Sequence, residues 1–256
     1  AARAQDHPMR QRPFVLSSDP HAPFPPADSA MQEPDGLLAI GGDLSLPRLL
    51  NAYRHGIFPW FSPGQPPLWW SPDPRMVFAT DGVRLSSRFR RSLRHSPWEV
   101  RADTAFEQVI TACAKAPRPG QHGTWLTSGM RQAYIDLHRH GHAHSVEVFE
   151  GDALVGGIYG VAIGRMFFGE SMFSGRSGGS KVALAALAAR LHGWGWPLIA
   201  AQVETDHLVS LGAVRMPRHR FLAEVAGLVD PPAPAGPWTL RFGRMTAAEL
   251  AQASVP

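Results

Sequence analysis

Cysteine is almost absent: Cys113 stands alone in 256 residues. A disulfide framework and a cysteine-based zinc site are both excluded. Lysine is nearly as scarce. Lys115 and Lys181 are the only two, so 23 of the 25 cations are arginine. Charged residues make up 18% of the chain against 44% hydrophobic, a balance that excludes global disorder. Long apolar runs are missing as well. Val182–Ala189 is the longest toward the C-terminal half and stops at Arg190, far short of the roughly 20 residues a bilayer span needs. The N-terminal stretch lacks the apolar core of a secretory signal. The expectation is a soluble, cytoplasmic protein, monomeric and without a membrane partner.

Glycine and proline, at 25 and 24 residues, are abundant and predict many turns. The net charge of +4 and pI of 9.8 permit a nucleic-acid partner without requiring one. Residues 1–35 are proline-rich, lack periodicity and read as a tail. A small N-terminal domain is expected over 36–74, where Ser45 caps a short helix with Pro47 in its first turn and Gly56 ends it. The segments 57–63 and 68–72 hold five aromatics among prolines. They read as neither strand nor helix, but as a packed wall or a surface platform. Trp60, between Pro59 and a Ser-Pro-Gly turn, is the ring expected at the surface.

From 75 the pattern alternates. Arg75–Thr80 reads as a strand. Leu85, Phe89 and Leu93 form the apolar stripe of a short helix. Thr104 and Glu107 fit a capping box for a helix burying Phe106, Ile110 and Cys113. Met130, Tyr134 and Leu137 mark a third helix, closed by Gly141. Three strands follow, 145–149, 153–163 and 166–173. Gly156, Gly157 and Gly160 in the middle one predict a bulge or a close backbone approach. A glycine turn at 175–181 opens a helix to about His192, then come a strand at 198–203 and a short helix from Asp206. Pro231–Pro237 reads as a linker to an apolar segment at 238–242. The order is α+β and fits an N-acyltransferase-like core, in which one strand splays from its neighbour.

Several constellations carry chemistry. The glycine turn, with Ser180 and Lys181 at a helix start, suits a phosphate and equally suits a plain cap. Arg176-x-x-Gly179 partly resembles an acyl-CoA pyrophosphate loop. Arg84, Arg88, Arg90, Arg91 and Arg94 can neutralise several phosphates or simply face solvent. Trp60, Phe61, Trp69 and Trp70 can stack bases or form a small core. His138, His140, His142 and His144 lack the carboxylate or cysteine spacing of a metal site. Glu170 sits among Phe167, Phe168, Met172 and Phe173, where an unpaired acid is costly, so it must meet a cation or act as a neutral acid. Gln202, in an apolar strand, needs partners of its own.

Taken together, 36–44 (GLLAIGGDL), 56–64 (GIFPWFSPG), 69–75 (WWSPDPR), 123–127 (GTWLT), 141–145 (GHAHS) and 169–174 (GESMFS) resemble the leucyl/phenylalanyl-tRNA–protein transferases. The resemblance runs in register from Gly36 to Leu222. It implies a small N-terminal domain followed by an acetyltransferase-like (GNAT-like) domain, taken here as 75–245, with 246–256 a C-terminal tail. It implies transfer of Leu or Phe, and less well Met, from aminoacyl-tRNA to proteins beginning with Arg or Lys, which marks them for degradation. It implies no metal and no cofactor, the tRNA 3′ end replacing CoA. Trp60 and Trp125 match tryptophans near the aminoacyl-adenosine. Ile158, Gly169, Met172 and Phe173 would form the apolar pocket, and Ser174 with the glycine turn would hold the terminal nucleotide. The five arginines and Lys181 would hold tRNA phosphates. Gln202 would stabilise the oxyanion, and Glu170 would orient an amine or stabilise the site.

One departure stands out. The family pattern Leu-Ile-Asp-x-Gln reads Leu198-Ile199-Ala200-Ala201-Gln202 here, so an alanine occupies the position of a proposed amine-deprotonating Asp. Thr205 also stands where the family often carries Asn. Either the copy is impaired, or Gln202 and positioning suffice, or Glu204 or Asp206 substitutes. Two other readings stay open: an acyl-CoA-dependent N-acyltransferase, and a catalytically silent tRNA-binding module.

Overall fold

The computed structural model describes residues 11–116, 126–231, 233 and 235–252. Its first sheet holds β1 (Phe14–Leu16), β2 (Leu37–Gly41), β3 (Phe58–Pro59) and β4 (Leu68–Trp70), in the order β1-β2-β4-β3, with helix α1 (Leu46–Arg54) inserted after β2. Two expectations change here. The N-terminal tail contributes β1, which pairs in parallel with β2 and buries Leu16. Three residues are too few to show a period, and the partner lies about 25 positions downstream. The aromatic segments form two short strands. Trp69 is fully buried and donates from Nε1 to the Gly41 carbonyl at 2.9 Å, while Pro59 lies on the edge strand, where a missing N–H costs nothing. Gly56 ends α1 with φ of +72°, as expected.

The second sheet holds eight strands. The elements in chain order are β5 (Arg75–Ala79), α2 (Ser87–Ser92), β6 (Glu99–Ala102), α3 (Phe106–Lys115), α4 (Ser128–Arg139), β7 (Ala143–Glu150), β8 (Ala153–Ile163) and β9 (Met166–Ser174). After these come α5 (Gly179–Gly193), β10 (Leu198–Ala201), α6 (Asp206–Ser210), β11 (Val214–Met216), α7 (Arg218–Val229), α8 (Thr239–Phe242) and β12 (Met245–Thr246). The strand order is β11-β5-β10-β9-β8-β7-β6-β12. The fold is mixed α+β. The end of the chain is no free tail: β12 pairs with β6, and the 3-10 turn Ala247–Gln252 buries Ala247 and Leu250.

Strand alternation sorts the core into two layers. Tyr159, Val161, Phe168 and Ala200 face α1, α3, α4 and α7, whereas Ile158, Phe167 and Ile199 face α5, whose stretch from Val182 to Ala189 is wholly apolar. The β7–β8–β9 meander carries the expected glycines for the expected reason. A Cβ on Gly156 would run into the backbone of Gly179, and one on Gly160 would strike the Phe168 carbonyl beside a bulge. The capping box at α3 does not form. Thr104, through N and Oγ1, and the Ala105 amide instead donate to Glu147 Oε1 at 2.6, 2.6 and 2.9 Å. A buried carboxylate reaching across from β7 outcompetes the local motif, and burial pushes that carboxyl up to about 7.

The histidine run is structural. His138 stacks on Phe106 with centroids 4.2 Å apart. His144 places Nδ1 2.6 Å from Asp103 Oδ2 and stacks on Trp238. Asp103 also accepts from the Trp238 amide, which fastens the 238–242 segment to the sheet. Among the described residues no helix is long and apolar enough to cross a membrane.

Candidate active site

β9 and β10 pair in parallel at only two positions, Phe167 with Ile199 and Phe168 with Ala200. Beyond them β9 continues to Ser174 while β10 ends at Ala201, so the strands part. The expected splay is present. The gap becomes a cleft of about 250 Å³. Phe78, Ile158, Met172, Leu184 and Ile199 give it an apolar wall, and Gly169, Glu170, Ala200, Gln202, Thr205 and His207 line the rest. Gly169 lets the strand backbone pass close to the Ala200 carbonyl.

Glu170 is the chemical centre of this cleft. It is 9% exposed and sits on the α1/α4 side of the sheet. Tyr53, from the end of α1, donates a short hydrogen bond to Oε1, and Gln202 donates from Nε2 to Oε2 at 2.5 Å. Tyr134 of α4 stands 2.7 Å from the Tyr53 hydroxyl. Arg75 of β5 acts on Glu170 through space. Burial pushes the carboxyl up to about 7, against these four partners, which all favour its charged form. Burial likewise drives both tyrosines well above their ordinary range. It lowers Arg75 to about 9, with Glu170 and Tyr53 opposing that shift. A carboxyl that titrates near neutrality inside a cleft is matched to proton transfer.

Other expected site residues fall in three groups. Ile158, Gly169, Glu170, Met172, Ala200 and Gln202 come together in the cleft. Phe173 is buried against Gly157, outside the cleft lining. Trp60 is 38% exposed on the N-terminal sheet, its ring 5.9 Å from that of Trp70. Trp125 lies outside the described residues. The third group is cationic. The segment expected as one helix is a loop, the two-turn α2 and a 3-10 turn over Leu93–His95. Its apolar side packs Phe89 and Leu93 inward, leaving Arg84, Arg88, Arg91 and Arg94 exposed and Arg90 half-buried. None of the five pairs with a carboxylate among the described residues. The glycine turn meets this segment: Gly178 abuts the Phe89 ring, and Lys181 Nζ lies 5.2 Å from its centroid. Ser174 Oγ accepts from the Ser180 amide at 2.9 Å and holds the turn closed. Arg176 pairs with Glu150.

The substitutes weighed for Ala200 lie outside the cleft lining. Glu204 forms a two-pronged pair with Arg215 at 2.7 Å on each arm. Asp206 opens α6, which Thr205 caps by accepting from the Leu208 amide.

The family model for leucyl/phenylalanyl-tRNA protein transferase matches residues 77–226, and that for its N-terminal domain matches 42–73. The chain belongs to the leucyl/phenylalanyl-tRNA–protein transferase family. A family member from Xanthomonas euvesicatoria pv. vesicatoria (strain 85-10) is 71% identical over 242 residues, which is 94% of this chain and 97% of that one. One from Xylella fastidiosa (strain M23) is 62% identical over 94% of this chain and all of the other. Among solved structures, a functionally unknown conserved protein from Staphylococcus epidermidis ATCC 12228 aligns at a TM-score of 0.39 with 7% identity, over 71% of this chain and 68% of that one. That likeness is too distant to assign a fold.

The structure adds three partners of Glu170 that sequence reasoning passed over: Tyr53, Tyr134 and Arg75. A signal existed for two of them. The chain has only three tyrosines, two fall on apolar helix faces, and a buried phenol requires a hydrogen-bond partner.

Proposed function

We propose that the chain transfers a leucyl or phenylalanyl group from aminoacyl-tRNA to the N-terminal amine of an acceptor protein. Membership of the family supports the reaction. The observation that carries the reading to these residues is the cleft itself, apolar toward α5 and holding a buried, near-neutral carboxyl toward α1 and α4. Leu or Phe, and less well Met, occupies the apolar side beside Ile158, Gly169 and Met172. One methylene in such a pocket changes selection by only about 10–200-fold, in keeping with tolerance of several apolar groups.

The chemistry is aminolysis of an ester. The acceptor nitrogen attacks the ester carbonyl carbon, a C–N bond forms, and the carbonyl pair moves to oxygen. Gln202 has a second N–H beyond the one given to Glu170, and it stabilises that oxyanion. Glu170 takes the proton from nitrogen. The C–O bond then breaks, and the proton passes to the departing ribose oxygen. Positioning supplies much of the rate.

The finer reading completes the assignment. The eight-stranded unit from 75 onward, β12 and the last 3-10 turn included, is GNAT-like, and the sheet of β1–β4 with α1 is its N-terminal domain. The tRNA 3′ end replaces CoA, with Trp60 and Trp125 against the terminal adenosine and Ser174 with the glycine turn at its phosphate. Phe173 supports the pocket from behind. Arg84, Arg88, Arg90, Arg91, Arg94 and Lys181 hold the tRNA backbone. Acceptors begin with Arg or Lys and are marked for degradation, and the enzyme works as a cytoplasmic monomer without metal or cofactor.

Labelled Phe-tRNA mixed with a peptide beginning with Arg tests the assignment. Transfer to the peptide supports it. Acylation from a CoA thioester without tRNA points to the acyl-CoA enzyme, and tight, salt-sensitive tRNA binding without transfer points to a silent binding module. An Ala200→Asp variant run beside the wild type reads what a carboxylate adds at that position.

A further inference from the structure

A second, small cavity adjoins the transfer cleft and shares Gly169, Glu170, Ala200, Ala201 and Gln202 with it. It offers about 10 Å³ to the centre of a water-sized molecule, room for one water. Tyr53, Gly56 and Arg75 add polar groups to its wall. Arg75 is 2% exposed. Its Nη1 donates to the Gly56 carbonyl at 2.6 Å, and its guanidinium lies 4.3 Å from the Phe221 ring centroid. Its Nε, also buried, has no protein partner. A buried guanidinium N–H left unpaired is costly, and a water in the adjoining space, whose wall Arg75 shares with Glu170 and Gln202, relieves that cost.

We propose that this cavity is a water site, and that one water bound there links Arg75 Nε to the Glu170 carboxylate and holds that carboxylate toward the incoming amine. Arg75 donates to the water oxygen. One water hydrogen goes to Glu170 and the other to the Gly56 carbonyl, which keeps a lone pair after accepting from Nη1. The water thus has three partners, the usual number for a buried one. Ala200 lines this cavity as well as the larger cleft, and a longer side chain there would compete with the water for the space. Arg75 is then a positioning residue, acting on Glu170 through the water.

The groups facing Glu170 come from every element around it. They are Tyr53 on α1, Tyr134 on α4, Arg75 on β5, Gln202 after β10 and His207 on α6, with Arg218 on α7 acting on Arg75 from behind. A hydrogen bond to the carboxylate favours its charged form. Losing the water therefore raises the pH at which Glu170 sheds its proton.

The inference rests on the assignment of proton removal to Glu170, and the experiment separates the two. Transfer is measured from pH 5.5 to 8.5 for wild type, Ala200→Val, Ala200→Ser and Glu170→Gln, with thermal unfolding to verify each fold. At acid pH the wild-type slope of log(kcat/KM) approaches about two, one from the acceptor amine with its free pKa near 7.7–8.0 and one from Glu170. Glu170→Gln leaves a slope of about one. Ala200→Val, with no room for the water, moves the Glu170 midpoint up by about one pH unit and lowers kcat at pH 7 about fivefold. Ala200→Ser puts a hydroxyl in place of the water and keeps the wild-type midpoint. A wild-type slope retained in Glu170→Gln overturns the Glu170 assignment. A slope lost there but a midpoint unmoved in folded Ala200→Val overturns the water site alone. A high-resolution crystal structure of the wild type decides independently of any variant: a water within hydrogen-bond reach of both Arg75 Nε and Glu170 supports the proposal, and a dry cavity overturns it.

Discussion

Glu170 is held between opposing influences: burial disfavours its charge, while Tyr53, Tyr134, Gln202 and Arg75 favour it. Removing one favourable partner shifts the balance in a known direction. In Tyr53→Phe the carboxylate loses a charge-assisted hydrogen bond, so its pKa rises above about 7. Transfer at pH 7 then falls about tenfold or more, because such a bond contributes roughly 1.5–3 kcal/mol, and the loss shrinks as pH increases. A pH–rate profile of the variant checks both parts. The acid is legible in the sequence, since a carboxyl among Phe167, Phe168, Met172 and Phe173 demands partners, and so is Gln202 in its apolar strand. Their partners are not. Tyr53 and Glu170 are 117 positions apart, and Tyr134 within the Met130/Leu137 stripe reads as ordinary core. Convergence of that kind belongs to tertiary structure, beyond the reach of local spacing.

Among the elements, β8 and α5 depend on each other's lack of side chains. α5 approaches β8 closely enough that Gly156 and Gly179 meet backbone to backbone. Gly156→Ala forces them apart, and overpacking of this sort costs typically 1–3 kcal/mol or more. The expected outcome is a Tm several degrees below wild type, with transfer reduced because the glycine turn at the start of α5 moves with the helix. Differential scanning calorimetry reads the first effect. Periodicity and glycine placement announced this meander because each strand there spans eight residues or more. The shorter pieces were hidden. β1 has three residues and β12 two, too few to alternate visibly, and both gain their stability from a partner strand. The capping box at Thr104 failed for a related reason: Glu147, remote in sequence, supplies a better acceptor than Glu107.

At the scale of the whole molecule, an arginine-rich face and the glycine turn converge on one side through Phe89. If that face carries tRNA, replacing Arg88 and Arg91 with Gln lowers affinity without unfolding the chain, since both are exposed. Each lost phosphate contact reduces the slope of log K against log salt by about 0.7–0.9. Filter binding from 50 to 300 mM salt, roughly the range over which such contacts weaken steeply, measures it. The sheet order has its own consequence for how the molecule is made. β5 lies between β10 and β11, and Ala79 precedes Leu198 by about 120 positions. While the ribosome is still synthesising the middle of the protein, the apolar Met76-Val77-Phe78 stretch has emerged and neither neighbouring strand exists. Pairing across such separations is slow and leaves strand edges open to aggregation. The gap between β9 and β10 inherits this timing, because it has no second wall before β10 arrives. A nascent chain therefore lacks the cleft until Leu198–Ala201 has left the ribosome.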